Sequence, residues 1–126
     1  MKHKIILASG SSARQQLLSN AGVKFDTLVS PVDEAAILAS LQAEDARPLD
    51  IVDTLAEYKG MRISRKHPDH LVISADQILV CNGEIFSKPQ DLTEAKTHLS
   101  KLRGQGHQLL SAVVIFEDGK PVWRHV

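Results

Sequence analysis

Short runs of consecutive apolar residues alternate along the chain with segments whose apolar residues recur every three or four positions. The run at 4–8 predicts a short buried strand. Ser11 or Ser12 can cap a helix that continues to about Asn20, and Gly22 stands where a glycine commonly follows a helix end. The sequence therefore begins with a predicted strand, a serine-rich turn and a helix.

The middle of the chain predicts one loosely patterned strand and two helices. Residues 23–31 alternate loosely between apolar and polar, which suggests the strand, and the apolar stretch 35–41 predicts a short helix. The longest helix is expected at about 48–65, with Pro48 in its first turn. Its predicted buried stripe consists of Ile51, Val52, Leu55, Ala56 and Tyr58.

The second half predicts strands joined by tight turns, with one more helix between them. Residues 71–74 have a strong strand pattern, a second apolar run follows at 78–81, and Asn82-Gly83-Glu84 signals a hairpin turn. Residues 91–94 resemble a capping box for a helix that Gly104 would stop. That helix would carry Leu92, Ala95, Leu99 and Leu102.

The last residues predict a β-hairpin with Asp118-Gly119 at its turn. The mixed order of helices and strands, with short connections, makes an α/β sheet protein the expected fold class. Trp123 and Val126 belong to a strand pattern that is still in progress where the sequence stops. We therefore expect a truncated, cleaved or partly ordered chain with one sheet edge that needs a partner.

Composition restricts the classes of protein that fit. The chain of 126 residues is the size of one domain, and its hydrophobic content of 43% is enough for a core. Fifteen basic residues balance fifteen acidic ones, which argues against a general binder of nucleic acid or of membrane surfaces. Cys81 is the only cysteine, and the apolar start is too short for a signal peptide or a spanning helix. We expect a cytoplasmic protein whose basic site, if it has one, is local.

The turn after the first strand is one candidate site. Exposed N–H groups at a helix start attract anions, Ser9 and Ser11 can donate hydroxyl hydrogen bonds, and Arg14 adds a charged fork of donors. The alternative is plain helix capping beside a surface arginine. The turn lacks the GK[ST] ending of a Walker loop, and Gly10 lacks the partner glycines of a dinucleotide fingerprint.

Charged residues at the ends of other predicted elements form a second group of candidates. Asp76 directly follows a predicted strand, where α/β proteins place ligands, although Asp is also common in turns. Glu34 stands at a helix start, Lys59 lies on the longest helix one turn after Leu55, and Lys88 follows the hairpin. Singly, each is more often a solvated charge. Together with the serines and the arginine, they favour a site for a polyphosphate with a divalent metal.

These same segments resemble the Maf family of nucleoside triphosphate pyrophosphatases. LASGSSAR is similar to the family's L-A-S-x-S-P-R-R, and VDE at 32–34 contains its D-E pair. LAEYKG is similar to L-A-x-x-K-A, SADQ to G-A-D-T, and GEIFSKP to G-E-x-x-G-K-P. The stretch LSKLRGQGHQLLSAVVI is similar to L-x-x-L-S-G-x-x-H-x-V-x-T-x-V. The motifs keep their order and together cover the whole chain.

The resemblance implies a single domain over 1–126 with an elongated α/β fold related to inosine triphosphatases. In that fold, a mixed sheet flanked by helices borders a nucleotide cleft. Family members continue with a segment that completes the sheet and closes one side of the base pocket, and this chain would lack it. The family is commonly dimeric, and it is linked to the removal of non-standard nucleotides and to restraint of septum formation.

The resemblance also implies the chemistry, which is hydrolysis of a nucleoside triphosphate to the monophosphate and pyrophosphate. Asp76 matches the catalytic base, and Glu34 matches the acidic residue near the attacking water and the metal, Mg²⁺ or another divalent cation. The residues implied to hold the phosphates are Ser9, Arg14, Lys59 and Lys88.

Several positions depart from the family pattern. Ser12 and Ala13 replace a proline and an arginine, so one cation on the phosphate side is missing, and Ser74 replaces a glycine. Gln77, which we expect at the base, replaces the threonine of the branch acting on dTTP and UTP. An Asp-Gln pair is typical of the branch acting on 7-methyl-GTP, but that branch usually carries an aromatic residue where Ala13 stands. The alternative function is a non-catalytic nucleotide-binding or cell-division regulatory protein.

Overall fold

A computed structural model describes residues 4–86 and 88–126 and shows an α/β protein, as the sequence predicts. The strands are β1 (Lys4–Leu7), β2 (Asp26–Thr27), β3 (His70–Cys81), β4 (Glu84–Phe86), β5 (Gln108–Glu117) and β6 (Lys120–His125). The helices are α1 (Ser12–Asn20), α2 (Glu34–Ala43), α3 (Pro48–Lys66) and α4 (Leu92–Leu102). None of these helices in the described part of the chain combines the length and the apolar character needed to cross a membrane.

The strands form one mixed sheet in the order β2-β1-β3-β5-β6, with β4 attached to β3. β1 runs parallel to β2 and to β3, whereas β5 pairs antiparallel with both β3 and β6. The strand expected over 23–31 is much shorter than predicted, because only Asp26 and Thr27 pair, opposite Ile6 and Leu7.

β3 is the central strand, and it is longer than its sequence pattern indicates. The two predicted apolar runs belong to one continuous strand of 12 residues. On one edge, β5 pairs with residues 71–80. On the other edge, β1 pairs with 70–73 and β4 pairs with 79–81. Along this second edge, the pairings within the described chain leave a gap at residues 74–78.

The core lies between α3 and the β3/β5 part of the sheet. Four residues of the predicted stripe are buried there: Ile51, Val52, Leu55 and Ala56. The fifth, Tyr58, is 53% exposed, so its prediction was wrong. The buried face of α3 contains Val52, Ala56, Gly60 and Ile63, which are three or four positions apart. Position 58 lies outside this face and is turned towards solvent.

Local turn and capping signals are confirmed. Asn82 and Gly83 both have positive φ angles (50° and 78°), as do Asp118 and Gly119 (51° and 74°), which is the requirement for the tight turns of two-residue hairpins. The Asp91 carboxylate accepts a hydrogen bond from the Glu94 N–H at 2.7 Å and caps α4. These turns fix where β4 and β6 fold back on their partners.

Candidate functional site

A cleft of about 1090 Å³ opens beyond the end of β1, between the serine-rich turn, α2, α3 and β3. The structure brings all the predicted site residues to its wall. These residues are Ser9, Arg14, Glu34, Lys59, Asp76, Gln77 and Lys88. The convergence follows from topology, because β1 and β3 run parallel and α1 and α2 start at the same end of the sheet.

The serine-rich turn is organised around the Ser9 hydroxyl. Ser9 is buried, and its Oγ accepts hydrogen bonds from the Ser11 N–H at 3.1 Å and from Arg14 Nη1 at 3.3 Å. The Ser11 hydroxyl accepts from the Arg14 N–H at 3.3 Å and caps α1. Because a hydroxyl has two acceptor sites and one hydrogen, the Ser9 hydrogen remains for a further acceptor in the cleft. The turn therefore combines capping with a guanidinium held beside the cleft.

Lys59 joins two carboxylates that come from different elements. Its Nζ lies 2.8 Å from an Asp76 oxygen on β3 and 2.8 Å from a Glu34 oxygen at the start of α2. The exposed side-chain fractions are 20% for Lys59, 11% for Asp76 and 54% for Glu34. The Asp76 pair is therefore the more buried of the two, and water weakens it less.

The ionisation of Lys59 depends on this pairing. Burial by itself lowers the pKa of the ammonium, but hydrogen bonds and charge attraction from Asp76 and Glu34 outweigh burial and raise the pKa above its ordinary value. Lys59 is thus held in its charged form inside the cleft.

Asp76 does not lie at the end of a strand, which corrects the sequence-based expectation. It lies within β3 and pairs with Ala112 of β5. It still borders the cleft because β1 ends at Leu7, opposite Ile73, so that Asp76 extends past its parallel neighbour. The alternation of the strand buries Asp76 and leaves Gln77 exposed on the other side.

Glu94 and Gln90 also line the cleft, although sequence reasoning gave them no part in the site. Glu94 lies in the first turn of α4, and its Oε2 accepts a hydrogen bond from the Gln90 N–H at 3.4 Å. The capping-box pattern at 91–94 was the signal available, and it indicated only a helix start. Lys88 lies between β4 and Gln90 and is exposed.

The described residues contain no cluster of three or more His, Cys, Asp or Glu side chains arranged to hold a metal. In the cleft, the carboxylates of Asp76 and Glu34 both contact the Lys59 ammonium and therefore lie close to each other. What the cleft offers is a buried carboxylate, several cations and a serine hydroxyl, which suits a multiply charged anion.

Comparisons with known proteins show the family to which the chain belongs. The family model described as Maf-like protein matches residues 4–126. The chain is 50% identical over 123 residues to nucleoside triphosphate pyrophosphatase 1 of Jannaschia sp. (strain CCS1), covering 98% of this chain and 62% of that protein. It is 46% identical over 126 residues to 7-methyl-GTP pyrophosphatase of Brucella abortus biovar 1 (strain 9-941), covering all of this chain and 63% of that protein. The chain thus spans about six-tenths of the length of these relatives.

Proposed function

The chain belongs to the Maf family, and from this premise we propose that it hydrolyses a nucleoside triphosphate to the monophosphate and pyrophosphate. The observation that carries the proposal is the Asp76–Lys59–Glu34 bridge, in the cleft that also holds Ser9 and Arg14. A proton acceptor and phosphate-binding cations are thus gathered in one place. The names of the relatives give the same reaction class.

In the proposed mechanism, Asp76 takes the proton from the water that attacks the α-phosphorus. Its carboxylate is largely buried and accepts a hydrogen bond from Lys59, which fixes its position beside the place where the water would lie. Glu34 is more exposed and orients the water from the α2 side. As the Pα–O bond to the leaving pyrophosphate breaks, negative charge moves onto the pyrophosphate.

Three groups in the cleft stabilise that charge. Arg14 presents a planar fork of donors, Ser9 can donate its hydroxyl hydrogen, and Lys88, which follows β4, also lines the cleft. Interactions that grow stronger as charge moves towards the leaving group lower the barrier more than they tighten substrate binding.

We propose that Mg²⁺, or another divalent cation, binds with the substrate. Mg²⁺ is commonly held by one or two carboxylates together with substrate phosphates, rather than by a cage of protein ligands. The two carboxylates that meet at Lys59 fit that mode, and the lack of a larger acidic cluster among the described residues is consistent with it. Glu34 would hold the ion, which would supply further neutralisation of the phosphate charge.

The base preference is proposed to depend on Gln77. Gln77 lines the cleft next to Asp76, and its side chain, exposed on the opposite face of β3, ends in an amide that can both donate and accept hydrogen bonds. The substrates to compare are 7-methyl-GTP, the substrate in the name of the Brucella relative, and the pyrimidine triphosphates dTTP and UTP.

The direct test is pyrophosphate release by the purified chain with Mg²⁺ and a panel of nucleoside triphosphates. We expect turnover with at least one triphosphate and its loss in Asp76→Asn. Binding without turnover would instead favour the non-catalytic nucleotide-binding or regulatory role. If the chain shows no binding and no turnover with any triphosphate, the proposal is refuted for this chain. A longer protein that includes the remaining length of the relatives is the matched comparison.

We also propose that the chain acts as a single domain, in the cytoplasm and as a homodimer. The single sheet, in which each neighbouring strand is hydrogen-bonded to the next, supports the first point. Sedimentation measurements would test the dimer, and fractionation of cells would test the location.

A further inference from the structure

Helix α3 approaches strand β3 unusually closely at Gly60. A Cβ atom at this position would lie 2.6 Å from the Phe116 ring and 2.7 Å from the Ser74 hydroxyl oxygen. Both distances are shorter than side-chain carbon contacts in proteins. A side chain at position 60 would therefore push the helix away from the sheet.

A buried hydrogen bond fixes the same contact. The Ser74 hydroxyl donates to the Ala56 carbonyl oxygen at 2.7 Å, and both residues are fully buried. Ala56 lies one helical turn before Lys59 and Gly60. Ser74 lies two residues before Asp76 on the same face of β3. The bond thus ties the helix that carries Lys59 to the strand that carries Asp76, close to where the two side chains meet.

We propose that Ser74 and Gly60 are positioning residues that set the distance between Lys59 and Asp76; their effect on turnover rests on the function proposed above. The lysine has two partners, and the Glu34 carboxylate is the more exposed one. If α3 shifts away from β3, the flexible lysine side chain can keep its bond to Glu34 while its bond to Asp76 lengthens. The close packing at Gly60 and the Ser74 bond prevent that shift.

Ser74→Ala is the first test, because it removes the anchor with little harm to the fold. The Ala56 carbonyl also accepts the helical bond from the Gly60 N–H, so no buried group loses its last partner. Ser64→Ala is the matched control. Ser64 is also fully buried, and its hydroxyl accepts a bond from the Gly119 N–H at 2.9 Å, but it lies one turn beyond Gly60, away from the cleft.

Both serine variants should melt a few degrees lower, since each loses one hydrogen bond inside the fold. Only Ser74→Ala should change the site, and crystal structures of the variants report this without any need for activity. The distance from Lys59 Nζ to the Asp76 carboxylate, 2.8 Å in the original protein, should lengthen in Ser74→Ala while the bond to Glu34 is kept.

In the pyrophosphate assay, Ser74→Ala should lower kcat roughly tenfold, the scale of a small misplacement of a reacting group. KM should change little, because the phosphate contacts of Arg14 and Lys88 are intact. Ser64→Ala should leave the Lys59–Asp76 distance and kcat near those of the original protein. Equal distances and equal kcat values in the two serine variants would show that Ser74 has only a structural role.

A second pair of variants tests the packing at position 60. Gly60→Ala should lengthen the Lys59–Asp76 distance, because the added methyl group separates α3 from β3. The double variant Gly60→Ala/Ser74→Gly removes the serine side chain from that space, so that only the edge of the Phe116 ring has to shift. Its Lys59–Asp76 distance should return part of the way to the original value, and a double variant no better than Gly60→Ala would overturn the proposal. If the original protein releases no pyrophosphate, the proposed function fails, while the distances still decide whether these residues position Lys59.

Discussion

Replacement of Asp76 by Asn is the sharpest test of the site. The change keeps the shape of the side chain and an oxygen that can accept the 2.8 Å bond from Lys59 Nζ. It removes the negative charge and the capacity to take a proton. The Asp76 side chain is only 11% exposed, so solvent compensates little for the lost charge.

The expected loss of turnover is large and the expected loss of stability is small. Removing a general base typically lowers the rate by roughly 10²–10⁴-fold, which corresponds to about 3–5 kcal/mol of barrier height. Leaving a buried charge without its partner costs about 3–5 kcal/mol. Lys59 retains Glu34 and a neutral acceptor, so we expect unfolding to become easier by about 1–2 kcal/mol.

Three measurements on this variant separate the possible roles of Asp76. Triphosphate affinity by calorimetry should hold or improve, because one carboxylate no longer repels the phosphates. If Asp76 mainly holds the metal, higher Mg²⁺ concentrations should restore part of the rate. Glu34→Gln is the control, since Glu34 contacts the same ammonium at the same distance but is 54% exposed, and its smaller rate loss would assign the base to Asp76. Near-normal turnover of Asp76→Asn, measured per folded molecule, would refute the catalytic role.

Three further predictions concern neighbouring groups. Arg14→Ala should weaken triphosphate binding by about 1.5–3 kcal/mol, the value of a hydrogen bond to a charged group; unchanged affinity in calorimetry would contradict a phosphate role for the serine-rich turn. Gln77→Thr should change the ranking of bases in the triphosphate panel more than total turnover, and an equal loss for every base would make Gln77 structural. The pKa of Lys59 is raised in the folded state, so its ion pairs should stabilise the fold fully at a pH below the unfolded-state pKa of about 10.4. This stabilisation should be lost as the pH rises through the folded-state pKa of Lys59. Denaturant unfolding across this alkaline range should show a decline that is absent in Lys59→Met, and parallel curves would contradict the pairing.

Features that depend on neighbouring residues were predictable from the sequence. The serine cap of α1, which the sequence left open between Ser11 and Ser12, the capping residue Asp91 and the two hairpin turns follow from side chains within a few positions of each other. The bounds of α3 were predicted for the same reason. The exposure of Tyr58 was not predicted, because the sheet that packs against α3 decides which face of the helix is buried.

Features that depend on distant pairing were predicted less well. Asp76 interrupts an apolar pattern, so the sequence suggested a strand end there, whereas pairing with β5 carries the strand through that position. The bond between Lys59 and Asp76 joins residues 17 positions apart and has no periodic signal. The family motifs singled out residues that the structure brings to one cleft, while their charges alone would have suited an ordinary solvated surface.

The gap along β3 has a consequence for how recognition in this cleft could change by mutation. The Ile73 carbonyl accepts a hydrogen bond from the Ala8 N–H, so the main-chain groups of Ile73 point towards β1. Because these groups alternate between the two edges of a strand, those of Ala75 and Gln77 point to the same edge. This is where the pairings of β1 and β4 leave the gap. A ligand that forms hydrogen bonds to those groups contacts the backbone C=O, which every residue has, and the backbone N–H, which every residue except proline has. Substitution at position 77 can replace the amide that projects from the strand, but it leaves the polar edge of the backbone in place. A single substitution at position 77 would therefore change the side chain that borders the cleft, while the backbone edge of β3 stays the same.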